Sequence, residues 1–283
     1  MGEPRKDELT GRETMGHDFD GIEELNTPMP RWWLISFYVT IVWGVAYTIA
    51  FPAWPMISGA TAGLLGYSTR GEVAQQIEAH ETANAGLVSE LVAADLAAFD
   101  PQSDLHRYAV ARGSSVFRAQ CSQCHGSGAA GATGFPNLLD NDWLWGGELE
   151  QIAHSVRHGI RNETDADAHW SEMPAYGEIL AADEIETLAS FVPTLADADW
   201  QSPGGVLFAD NCASCHGDAG LGDRDLGAPN LADAIWLYGG DHQSLVETIT
   251  NARFGVMPAW GQRLSEADVR AVSTYVHALG GGE

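Results

Sequence analysis

Cys121-Ser122-Gln123-Cys124-His125-Gly126 and Cys212-Ala213-Ser214-Cys215-His216-Gly217 are two copies of one pattern, and together they use every cysteine of the chain. Two cysteines three residues apart with a histidine directly after suit covalent attachment of a c-type haem. Each thiol can form a thioether to a vinyl group while the imidazole reaches the iron. The same cysteine spacing serves zinc half-sites and redox dithiols. Zinc calls for further ligand pairs at matching spacing, and a thioredoxin-type dithiol for an adjoining strand–helix–strand pattern; the sequence carries neither. Two covalently bound haem c groups are the expected cofactors.

Around the motifs the chain repeats itself. The first copy has Val116-Phe117, the motif, Pro136-Asn137-Leu138, Trp143-Leu144-Trp145-Gly146-Gly147 and Met173-Pro174-Ala175-Tyr176-Gly177. The second has Leu207-Phe208, the motif, Pro229-Asn230-Leu231, Trp236-Leu237-Tyr238-Gly239-Gly240 and Met257-Pro258-Ala259-Trp260-Gly261. Apolar residues at helical spacing predict a closing helix for each copy, over 182–192 and 266–279. The spacing thus divides the chain's end into two tandem domains, 106–196 and 197–283. The first copy carries an insertion around Asn162 to Trp170, read here as a surface loop.

Ahead of the repeat, Trp32 to Phe51 runs without a charged residue, and a helix of that length spans the roughly 30 Å hydrocarbon layer of a bilayer. Trp32, Trp33, Tyr38 and Trp54 sit where interfacial aromatics belong, and Pro52 and Pro55 end the helix. The expected organisation is a tail at 1–31, a membrane anchor at 32–54, a helical linker at 55–105 and then the two domains. Ala60-Thr61-Ala62 resembles a signal-peptide cleavage site, but the residues before the span are too many and too acidic for an ordinary leader. Arg5, Lys6, Arg12 and Arg31 precede the span and only Arg70 closely follows it, which predicts a cytoplasmic N-terminus and periplasmic haem domains at a bacterial inner membrane.

The chain has 39 acidic against 14 basic residues, a formal net charge of −25. That balance excludes a nucleic-acid partner. It suits either a cationic protein docking on a negative face or a surface tuned for solubility.

Each copy resembles a class I cytochrome c domain, and the run from His17 to Trp33 (HDFDGIEELNTPMPRWW) resembles the start of the dihaem subunit of cbb3-type cytochrome c oxidases, the CcoP or FixP family. The likeness continues through Phe51-Pro52-Ala53-Trp54-Pro55 and Leu65-Gly66-Tyr67-Ser68 into both domains. It implies an all-α fold, one N-terminal transmembrane helix followed by two tandem cytochrome c domains. It also implies a function: an electron-transfer subunit that accepts electrons from a donor cytochrome c and relays them toward the monohaem and catalytic subunits, with no oxygen site of its own.

In such domains Cys121, Cys124, Cys212 and Cys215 hold haem, His125 and His216 are proximal iron ligands, and Met173 and Met257 close the sixth position. The alternative for the methionines is core packing. The family also implies an exchange, Met173 serving the second haem and Met257 the first, and sequence spacing leaves own-domain and crossed ligation both open. His154, His158, His169, His242 and His277 share no corresponding position, which weakens a paired-histidine reading. Pro136 and Pro229 are expected to turn the backbone under the proximal histidines. Arg157, Arg161 and Arg253 suit either haem propionates or solvated helix faces. Rival functions are a freestanding dihaem carrier, which has no use for the His17–Trp33 run, and a dihaem peroxidase, which needs an open iron position that two matched Met-Pro loops deny it.

Overall fold

The computed structural model describes residues 4–282, which divide after residue 83 into two compact units. The first unit begins with a hairpin, β1 (Thr14–Phe19) and β2 (Ile22–Leu25), turned at Asp20-Gly21, where both residues take positive φ. Two positive-φ residues in a row are what a tight hairpin turn needs, and Asp-Gly supplies them at little cost. After Pro30 comes α1 (Arg31–Ala50), which leaves none of its side chains buried and is long and apolar enough to cross a membrane. A small second hairpin, β3 (Pro55–Met56) with β4 (Gly59–Ala60), follows. Within 55–105 the chain forms this hairpin and then one helix, α2 (Thr69–Ala93), while the two hairpins are too short to register as alternating patterns.

The second unit is built of helices. The first repeat supplies α3 (Asp104–Val116), α4 (Ser122–His125), α5 (Leu149–His158) and α6 (Ala182–Phe191). The second supplies α7 (Pro203–Asn211), α8 (Ala213–His216), α9 (His242–Asn251) and α10 (Glu266–His277). Starts are set by side-chain caps: Ser103, Ser202, Asp241 and Ser265 each accept a backbone N–H from three residues on.

The closing helices pack crosswise. α10 lies on α3 and α5 of the first repeat, and α6 lies on α7 and α9 of the second. One core therefore joins Phe117, Ile152 and Val156 to Val269, Val272 and Val276, and the other joins Ile185, Leu188 and Phe191 to Phe208, Leu245 and Ile249. Each core draws on both sequence repeats.

Glycine permits these crossings. Gly113 in α3 and Gly204 in α7 hold equivalent places ahead of Cys121 and Cys212. A Cβ on Gly113 would stand 2.0 Å from the Ala271 carbonyl oxygen, and one on Gly204 would stand 2.5 Å from Phe191 Cβ. Gly86, in α2, has nothing within 4 Å of that position.

Gly113→Ala should therefore cost about 2 kcal/mol by forcing α10 away from α3. Gly86→Ala should gain up to about 1 kcal/mol from helix propensity alone. Thermal unfolding of the two variants checks this, and equal responses would mean that α3 and α10 do not cross at Gly113.

Candidate haem sites

α3 passes through one wider, π-helical turn (Phe117–Cys121) into α4, so Cys121, Cys124 and His125 follow directly on a helix whose root is the fully buried Phe117. Phe208, also fully buried, has the same place before Cys212. After His125 the chain turns at Gly126, and the Gly131 N–H donates to the His125 carbonyl at 2.9 Å. Gly131 has φ +68°, and a Cβ there would meet the Phe135 oxygen at 2.4 Å, so only glycine fits. The turn brings the Pro136 carbonyl to 3.0 Å from His125 Nδ1. In the second repeat Gly222, with φ +81°, makes the same turn and the Pro229 carbonyl stands 3.0 Å from His216 Nδ1.

A carbonyl can only accept, so Nδ1 carries the proton in both histidines and Nε2 keeps its lone pair. Burial pushes both imidazoles below the usual histidine range, against a smaller upward pull from the proline carbonyls. Each ring is thus neutral, oriented and free to ligate through Nε2. The thiols point away from dithiol chemistry. Burial, with a smaller push from the neighbouring cysteine, raises Cys121 and Cys212 to about 11, whereas a redox-active thiol is held low.

The methionine loops follow their closing helices across the molecule. Met257 packs against the core that contains Phe117 and Cys121, and Met173 against the core that contains Phe208 and Cys212. The Met257 loop is pinned at the end of α5: Met257 and Ile160 exchange both backbone hydrogen bonds at 3.0 Å. Gly159, at φ +81°, lies under the loop so closely that a Cβ would stand 2.4 Å from the Met257 oxygen. Across the pseudo-symmetry, Gly177 abuts Thr250 of α9 as Gly261 abuts Arg157 of α5.

The Trp-Leu-aromatic-Gly-Gly segments also reach across. A Cβ on Gly227 would lie 2.1 Å from the Trp145 ring, one on Gly134 3.3 Å from the Tyr238 ring, and the Gly134 N–H donates to the Leu237 carbonyl at 2.9 Å. The Trp145 Nε1–H is buried without a partner among the described residues, which fits a donor awaiting an acceptor from a bound group. Oriented histidines, paired free thiols and this orphaned donor all fit haem.

The arginines have protein partners in the structure. Arg157, partly exposed, pairs with Glu266 of α10 at 2.6 Å, and Arg270 pairs with the same carboxylate at 2.8 Å. Arg161 donates to the Gly255 carbonyl at 2.7 Å, and Arg253 donates to the Ser244 carbonyl at 2.7 Å and to the Thr248 hydroxyl. The Arg157–Glu266 and Arg161–Gly255 contacts cross between the repeats and leave no signal in the spacing of the sequence. The structure also gathers three histidines of the first repeat: His154 lies with ring centroids 4.6 Å from both His158 and His169, and His169 stacks on Trp145 at 4.3 Å.

Comparison with known proteins places these features in a family. Residues 11–58 match the N-terminal domain of cytochrome oxidase-cbb3, FixP, and residues 109–192 and 201–276 match cytochrome c oxidase, cbb3-type, subunit III. The chain is 56% identical to the cbb3-type cytochrome c oxidase subunit CcoP of Cereibacter sphaeroides, covering 95% of each. It is 50% identical to subunit CcoP of Rhodobacter capsulatus over 96% of each chain, and 47% identical to subunit FixP of Sinorhizobium medicae over 98% of this chain and 97% of that one.

The Arg157–Glu266–Arg270 group gives a test of the crossed packing. Burial raises the Glu266 carboxyl, but the two guanidiniums outweigh it and hold it below its ordinary 4.5. A depressed carboxyl stabilises the fold above its unfolded pKa, and that contribution disappears as pH falls through the folded value. Glu266→Gln should cost about 1 kcal/mol at pH 7, a modest figure because the group is partly exposed. Thermal unfolding of variant and wild type should converge below about pH 4.5; a gap that persists in acid would mean the ion pairs contribute nothing.

Proposed function

The chain belongs to the family of cytochrome c oxidase, cbb3-type, subunit III, and from that membership we propose that it is the membrane-anchored electron-transfer arm of such an oxidase, carrying two covalent haem c groups in crossed cradles. Bound haem supplies the one-electron couple by which electrons pass from a donor cytochrome c toward the monohaem and catalytic subunits. α1 anchors the chain in the inner membrane with the N-terminus in the cytoplasm and the second unit in the periplasm, a reading supported by the basic residues before the span.

In the first cradle Cys121 and Cys124 form the thioethers, His125 is the proximal ligand and Met257, from the second repeat, is the distal one. In the second cradle Cys212, Cys215 and His216 are completed by Met173, from the first. The observation that carries this reading is that Met257 packs against the core built on Phe117, on which Cys121 also packs, while its backbone pairs with Ile160. A thioether ligand favours the ferrous state and raises the potential, which suits a relay that must accept an electron readily. The proline after each methionine fixes φ and restricts the ligand's own backbone, so the loop is held ready for ligation. Pro136 and Pro229 do the same for the proximal side by fixing the imidazole planes.

Crossed and own-repeat ligation separate in a variant that retains one haem. In Cys212→Ser/Cys215→Ser protein, Met257→His should lower the midpoint of the remaining haem by on the order of 0.1 V, part of the roughly 0.8 V that axial ligands span, and Met173→His should leave it in place. Potentiometric titration reads both, and the opposite pattern assigns each methionine to its own repeat.

The charge of −25 gives a second expectation. A cationic donor cytochrome steered by this surface should reduce the chain about tenfold more slowly at 150 mM than at 10 mM salt in stopped-flow mixing. A rate indifferent to salt would assign the acidity to solubility.

A further inference from the structure

The insertion of the first repeat, Asn162 to Trp170, has no counterpart in the second, and neither haem cradle uses its acidic residues. It is not a loose loop. The Gln262 side-chain amide donates to the Thr164 carbonyl at 2.9 Å, the Thr164 hydroxyl donates to Asn162 Oδ1 at 3.2 Å, and the Asp165 N–H reaches the Asn162 carbonyl at 3.3 Å. The effect is to fold Asp165 and Asp167 back over the last turn of α5, where His158 stands.

His158 Nδ1 lies 3.0 Å from Asp165 Oδ1, and one ligand atom from each of His158, Asp165 and Asp167 falls within 4.8 Å of the others. Adjacent ligands on a tetrahedral zinc ion are about 3.3 Å apart when the bonds are about 2.0–2.1 Å long, so His158 and Asp165 already stand at the spacing of a shared ion. His158 and Asp165 are half-buried and Asp167 is exposed, which leaves one side open to solvent for entry and for a water ligand. Behind this group, His154 presents its ring 4.6 Å from that of His158, and its Nδ1 stands 3.2 Å from His169 Nε2. This second pair packs against the His158 ring.

We propose that His158, Asp165 and Asp167 form a binding site for a divalent transition-metal ion of the zinc class, built by the insertion on the end of α5. One imidazole and two carboxylates make a borderline donor set that favours such ions over calcium or magnesium, which prefer oxygen-only shells. The ion takes the place of the proton that His158 and Asp165 share. It clamps the insertion to the end of α5, directly before the Gly159–Ile160 segment on which the Met257 loop is seated.

The test is calorimetric titration of the full-length, haem-loaded chain in detergent with zinc chloride after chelator treatment. Saturable binding of one ion per chain is expected, weakened about tenfold or more in both His158→Gln and Asp167→Asn. Asp167 is exposed, so its variant folds whatever His158→Gln does, and unchanged haem absorbance serves as the control for both. The proposal is overturned by the absence of saturable binding below about 1 mM in the wild type. It is equally overturned by wild-type affinity in Asp167→Asn, which would mean an adventitious ion on the acidic surface only.

Discussion

The haem-bearing unit depends on where each closing helix finds its partner. α6 is joined to α7 by a short connection through Val192–Asp197 to Pro203, and it packs on the helix that follows it. Docking against a sequence neighbour closes a small loop and costs little entropy. That choice leaves α3 with an uncovered face, and α10 is the remaining amphipathic helix that can cover it. Gly113 and Gly204 make both crossings close enough for side chains to interlock. The exchange thus follows from chain connectivity, with the glycines setting its tightness.

Because each methionine loop travels with its closing helix, the exchange also governs the sites. Met257 packs on the same core as Cys121 as α10 docks on α3, and Met173 on the same core as Cys212 as α6 docks on α7. The aromatic contacts of Trp145 with Gly227 and of Tyr238 with Gly134 tie the two cradles together at a second place. Two candidate sites held in one interlocked body keep a fixed separation, and packed interiors resist deformation. An independent pair of domains on a linker would lack that constraint.

The motifs, the five repeated landmarks, the membrane-length helix and both closing helices were legible from residue types and periods, because each is a local pattern. The exchange was not legible in the residues themselves. The two repeats carry nearly the same landmarks, so own-repeat and crossed packing satisfy the same local signals, and only the resemblance to a family raised the possibility. Arg157 shows the same limit at one residue: its helix position was evident, but its partner Glu266 lies far along the chain and belongs to a helix that spacing assigns to the other domain. The hairpin at Thr14–Leu25 escaped for a different reason, since its strands are short and mostly exposed and bury too little to leave an alternating pattern.

The two cradles are nearly symmetric, and the departures from symmetry gather around Ile160. On one edge its backbone pairs with Met257; on the other, the Arg161 N–H donates to the His169 carbonyl at 2.7 Å and the His169 N–H donates to the Gly159 carbonyl at 3.1 Å. The returning end of the insertion therefore braces, from behind, the segment that seats the Met257 loop. In the second repeat the corresponding turn after α9 is shaped by Ala252 at φ +52° and held by the Arg253 side chain instead. The turn after α5 is thus held by a backbone ladder reinforced by a folded insertion on the order of a short hairpin, the turn after α9 by a guanidinium bridging carbonyls and a hydroxyl. A backbone ladder is set by the chain path and tolerates side-chain change, whereas the Arg253 bridge depends on one residue. The insertion read from sequence as a surface loop is, physically, part of the support for the Met257 loop.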